Sequence, residues 1–89
     1  MLEKKITIKN KLGLHARAAV KFANLANRFN SSVKIEKDGN EIDGKSILGI
    51  LTLAAVQGSQ IILKVSGTDE DRTFKALIEL INNKFQEKE

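Results

Sequence analysis

The sequence predicts an α+β fold in the order βαββαβα: four antiparallel strands in one sheet, three helices over one of its faces, and the other face open to solvent. Three observations carry this. Apolar residues alternate through Ile6 and Ile8, Val33 and Ile35, and Ile61, Leu63 and Val65, as half-buried strands require. Two further stripes follow the helical period, one through Ala19, Phe22, Ala23, Ala26 and Phe29, the other through Phe74, Leu77, Ile78, Ile81 and Phe85. With 89 residues, 42% hydrophobic and 29% charged, the chain supports one two-layer core, so residues 1–89 are expected to form a single domain.

KKITIKN opens the sheet, with Lys5, Thr7 and Lys9 opposite its two isoleucines. The first helix runs from Ala16 to Phe29, its apolar stripe opposed by Arg17, Lys21, Asn24 and Arg28. SSVKIEKDGNEID is a hairpin that turns at Asp38-Gly39, a pair suited to positive φ, and resumes at Ile42. SILGILTLAA is apolar almost all round and fits a buried strand or a short helix; Ser46 as a cap and the Ile47, Ile50, Leu51, Ala54 spacing favour the helix. QIILKVSG is the fourth strand. Thr68, with Asp71 three residues on, reads as a capping box for the last helix, and a charged, fraying tail is expected after it.

Composition removes several classes of function. There is no cysteine, so disulfides and thiolate metal sites are out, and one histidine makes no metal site unaided; no cofactor is expected. The net charge of +4 raises the prior for acidic partners. Its basic residues are scattered, and without Trp or Tyr there are no strand-borne platforms for stacking bases, so nucleic-acid binding is a minor alternative. MLEKKITIKN lacks the apolar core of a signal peptide and no apolar run approaches membrane-spanning length, which points to a cytoplasmic protein without membrane insertion.

GNEIDGKS, residues 39–46, matches the nucleotide-loop pattern G-x-x-x-x-G-K-[ST]. Its context argues against a nucleotide. Glu41 and Asp43 would face a polyanion, Ile42 continues strand alternation, Gly39 serves the hairpin turn, and too few residues follow for the parallel strands of such a domain. What survives is Ser46, a helix cap beside unpaired N–H groups, where an attached phosphate would be tolerated.

His15, the one histidine, stands just before the first helix in KLGLHARAAVKF. One reading is a capping or satisfied surface residue; the other is a phosphoryl acceptor. The second has a physical basis. A neutral imidazole is nucleophilic, the helix N-terminus and Arg17 favour the uncharged ring, and the same groups then hold the phosphoryl oxygens. Gly13 lets the approaching backbone turn tightly. Val20, on the side of Ala16 and Asn24, and Leu48, off the Ile47, Ile50, Leu51 face, point away from any core; they are either scattered surface residues or a docking patch beside the histidine.

GLHARAA at 13–19, DGKSILGILTLAA at 43–55 and QGSQIILKVSGTDE at 57–70 together resemble HPr, the histidine-containing phosphocarrier family of the bacterial phosphoenolpyruvate-dependent phosphotransferase system. The resemblance spans essentially the whole chain and implies an open-faced βαββαβα sandwich. It implies that His15 accepts phosphoryl from phosphorylated enzyme I through Nδ1 and passes it to an enzyme IIA-type domain, with Arg17 assisting. It also implies that Ser46 is the regulatory serine, the target of an HPr kinase/phosphorylase, and that Ala16, Val20, Asn24, Ile47, Leu48, Leu51 and Thr52 dock the partners of a monomer. A chiefly regulatory protein, controlled at Ser46 and with sugar transport secondary, is the alternative. The chain departs from the family at Ala18, where proline is usual, and at Leu12, which replaces a small or polar residue.

Overall fold

The structure, a computed structural model, describes residues 1–88. Its order is β1 (Leu2–Thr7), α1 (Ala16–Ala26), β2 (Ser32–Lys37), β3 (Asn40–Asp43), α2 (Ile47–Thr52), β4 (Gln60–Ser66) and α3 (Glu70–Asn82), followed by a single 3-10 turn at Lys84–Gln86. The strands form one antiparallel sheet in the order β1-β4-β2-β3. Register pairs Ile6 with Ile61, Val33 with Val65, and Ile35 with Leu63, so the alternating residues meet on one face. All six are buried there with Phe22, Ala23, Ile50, Leu77, Ile81 and Phe85. Each Val, Leu, Ile and Phe among them contributes on the order of 1.5 to 3 kcal/mol by leaving water.

The expected βαββαβα order and one-sided helical layer are present. Asp38 and Gly39 make the two-residue hairpin loop with φ of 52° and 85°, between the paired Lys37 and Asn40. On the open face, Lys64 in β4 donates to Glu36 at 2.8 Å and Glu41 at 2.9 Å, linking three strands; these hydrogen bonds raise the affinity of its ammonium for its proton.

Four expectations about element ends need correction. Helix α1 stops at Ala26 rather than Phe29, because the Asn27 side chain donates to Ala23 O at 2.8 Å and Lys45 O at 3.0 Å, and the next N–H groups tighten to i−3 bonds. In α2 the buried positions are Ile50, then Leu53 and Ala55 just beyond it, while Ile47 and Ala54 are exposed. A helix of six residues is too short to hold a stripe, and Ala54 leaves it at φ 49°. The Thr68–Asp71 capping box does not form: Asp69 occupies the cap position of α3 and makes no side-chain cap bond. Its carboxylate reaches across the fold instead, accepting from the N–H groups of Asn30 and Ser31, both at 2.9 Å, and from the Ser31 hydroxyl.

The fourth correction concerns the tail. Phe85 is fully buried, but the last helix ends at Asn82 and the chain turns through Lys84, Phe85 and Gln86 at φ of 56°, 56° and 65° to return toward α1. Lys21 donates to Phe85 O at 2.8 Å, and the expected fraying segment is folded down to Glu87.

Candidate functional site

The site begins in the turn after β1. Gly13 adopts φ 68°, its N–H donates to Asn10 O at 3.1 Å, and the Leu14 N–H donates to Ala55 O at 2.8 Å. This ties the start of α1 to the end of α2. Asn27, at the other end of α1, is held to Lys45. The two helices therefore run antiparallel, with the Ser46 end of α2 beside the C-terminus of α1.

His15 is the N-cap of α1, in extended backbone, and its carbonyl accepts the first helical bond from Ala19 at 2.8 Å. Its Nδ1 accepts from the Arg17 N–H at 3.3 Å. Nδ1 thus lies at the positive end of the helix, and the first turn of α1 holds no acidic residue to offset that field. The capping role weighed for this residue and a nucleophilic Nδ1 are compatible, because both use the same lone pair at different moments.

On its other side the imidazole meets a carboxylate absent from the sequence-based site. Nε2 of His15 pairs with Oε2 of Glu87, and Oε1 of Glu87 accepts from Asn10 Nδ2 at 2.9 Å. Asn10 Nδ2 also donates to Gly13 O at 2.8 Å, so one buried amide joins the turn, the tail and, through Glu87, the histidine. Burial alone would raise the Glu87 carboxyl; the hydrogen bonds from Asn10 and His15 and the charge of Lys21 outweigh it and leave it below the ordinary range. Arg17 is exposed and lines an open cavity of about 430 Å³ with Lys11, Lys21, Lys88 and Glu87.

Asn10, Lys21 and Glu87 escaped the sequence reading. Nothing in local pattern marks them: Asn10 sits in a polar turn, Lys21 on a solvated helix face, and Glu87 in a charged tail.

Ser46 caps α2, its Oγ accepting from the Gly49 N–H at 3.0 Å, and it is part-exposed. Ser46 and His15 lie at opposite ends of α1, whose 11 residues make it about 16 Å long. Between them, on the outer surface of the helix pair, lie the residues named as docking candidates. Ala16, Val20, Asn24, Ile47, Leu48 and Thr52 are exposed and Leu51 is half-buried, with Leu48 the most open at 75%. Leu12 and Val56, at 63% and 64%, add apolar surface at the turns beside His15 that was not anticipated. Among the described residues no cluster of three potential metal ligands occurs, and no helix is long and apolar enough to cross a membrane.

The structure thus presents an antiparallel sheet covered on one face by helices, with one imidazole at a helix N-terminus beside an exposed apolar surface. Residues 2–83 match the family described as the PTS HPr component phosphorylation site. The phosphocarrier protein HPr of Cupriavidus necator is 48% identical over the whole of both chains. The crystal structure of HPr-C-His from Thermoanaerobacter tengcongensis superposes with a TM-score of 0.96 at 45% identity, each chain covered completely; an HPr dimer of the same organism gives 0.79 at 46% identity over 98% of this chain and 100% of that one. The chain belongs to the HPr family of phosphocarrier proteins of the phosphotransferase system.

Proposed function

We propose that the chain carries a phosphoryl group on Nδ1 of His15, receiving it from phosphorylated enzyme I and passing it to enzyme IIA-type domains. The observation that carries this reading is the placement of the Nδ1 lone pair toward the first amides of α1, in a helix turn free of acidic residues. In the transfer, the bond from phosphorus to the donor breaks as the Nδ1–P bond forms. The first-turn N–H groups stabilise the phosphoryl oxygens, and the exposed Arg17 guanidinium supplies charge-assisted hydrogen bonds. The protein is a covalent relay that acts as one unit over 1–89, as a monomer in the cytoplasm, and needs no cofactor.

Incubation with phosphoenolpyruvate and a competent enzyme I is expected to place an acid-labile label on the protein, and His15→Ala is expected to remove it. A label that persists in the variant overturns the assignment. Docking is assigned to Ala16, Val20, Asn24, Ile47, Leu48, Leu51 and Thr52; Leu48→Asp, on a side chain that packs little, should slow labelling while unfolding stays within about 0.5 kcal/mol of the parent.

A regulatory role for Ser46, modified by a kinase of the HPr kinase/phosphorylase type, is the second reading. It is favoured by a part-exposed hydroxyl next to Leu48 on that surface. At about one helix length from His15, beyond a Debye length of about 8 Å, a phosphate there acts on partner docking and not on the imidazole directly.

A further inference from the structure

We propose that Glu87 is a positioning residue for phosphoryl transfer at His15: it holds the Nε2 proton, leaves Nδ1 as the nucleophile, and balances the positive charge that the ring acquires. The proposal rests on the carrier function above and adds to it a role for the C-terminal tail.

The ring has one arrangement compatible with its two neighbours. The Arg17 N–H can only donate, so Nδ1 presents its lone pair; the ionised Glu87 carboxylate can only accept, so Nε2 carries the proton. When Nδ1 attacks, no proton leaves Nε2. The donor bond to phosphorus breaks, the Nδ1–P bond forms, and the neutral ring becomes an imidazolium with its Nε2–H still directed at Glu87. On onward transfer the Nδ1–P bond breaks and the ring returns to neutral. A carboxylate fixed at Nε2 stabilises the cationic, phosphorylated ring, so it assists formation of the Nδ1–P bond and restrains its loss until an acceptor is docked. The pair is sheltered enough for this to count, with side-chain exposures of 25% for His15 and 10% for Glu87.

The fold maintains Glu87 there at some cost. Lys84, Phe85 and Gln86 are consecutive non-glycine residues in left-handed backbone, a conformation costing on the order of 1 kcal/mol or more each. It is held by the buried Phe85 ring and by Lys21 on Phe85 O. Asn10 is fully buried, and its amide nitrogen donates to both Gly13 O and Glu87 Oε1. The donor side of this buried amide aims the carboxylate. The charged groups that line the cavity beside Glu87 are Arg17 and Lys21 from α1, Lys11 from the preceding turn and Lys88 from the tail, and Lys21 acts on the Glu87 carboxylate by its charge. Glu87 is the one carboxylate among these described residues.

The test uses the full chain with Glu87→Ala and Glu87→Gln, labelled by phosphoenolpyruvate and enzyme I. Hydrolysis of phosphohistidine needs the protonated ring as leaving group, so its rate against pH reports the Nε2 proton of the phosphorylated form. In both variants the midpoint of that profile is expected to fall by about one pH unit or more, and labelling to slow by about tenfold, the same free energy read as a rate. Imidazole ¹⁵N shifts of the unphosphorylated parent are expected to show the Nε2–H tautomer. Profiles that coincide for parent and variants, or an Nδ1–H tautomer in the parent, overturn the role of Glu87 while leaving the carrier function intact. A parent that takes no label at His15 overturns the carrier function itself. A tail that merely packs would change unfolding and leave the hydrolysis profile where it was.

Discussion

Gly13 stands directly against Ala55: a Cβ on Gly13 would come within 2.4 Å of the Ala55 carbonyl oxygen, the same oxygen that accepts the Leu14 N–H at 2.8 Å. The contact joins the turn that presents His15 to the segment that closes α2. It explains a glycine here on two independent grounds, the close approach and the φ of 68°. Gly13→Ala is therefore expected to destabilise the protein by about 2 to 4 kcal/mol, read by urea unfolding, and to slow phosphorylation of whatever remains folded. Wild-type stability in this variant would mean that the turn relaxes without cost and that Gly13 does not set the position of His15.

Ser46 separates structure from regulation through two substitutions. Ser46→Ala removes the oxygen that accepts the Gly49 N–H and is expected to cost about 1 kcal/mol in unfolding. Ser46→Asp retains a cap acceptor, so stability should stay near the parent, while the added charge beside Leu48 should slow transfer from enzyme I. Equal transfer rates for the Ser46→Asp variant and the parent at matched stability would remove the regulatory reading.

Asp69 ties α3 to the segment between α1 and β2, and this tie is pH-dependent. The Ser31 hydroxyl, then the Asn30 N–H, together with Ser31 N–H and Thr73, overcome the opposing effect of burial and hold the carboxyl at about 2, against 3.8 for a free side chain. A depressed carboxyl stabilises the fold at pH values above its unfolded value and loses that contribution as pH falls through the folded one. Asp69→Asn should accordingly be less stable than the parent at neutral pH, with the gap closing between about pH 4 and about pH 2. Denaturant midpoints measured on both proteins across that window check this; a gap independent of pH would assign the loss to packing rather than ionisation.

The division between what was legible in the sequence and what was not follows the range of the interactions. Strand alternation, the Asp38-Gly39 turn, the Ser46 cap and the GLHARAA segment are local, so period, turn chemistry and motif determined the βαββαβα order, the family and the candidate pair His15 and Ser46. The ends of the elements were decided elsewhere. Asn27 stops α1 by bonding to Lys45 as well as its own helix, and Asp69 abandons local capping for Asn30 and Ser31, about forty residues away in sequence. The site was divided in the same way. The sequence by itself determined that an imidazole stands at a helix N-terminus with Arg17 near it. Only the tertiary structure brought Glu87 to Nε2 and Asn10 to Glu87, because a carboxylate in a charged tail has no periodicity to betray it; its position depends on burying Phe85 and on a left-handed turn that local propensity disfavours.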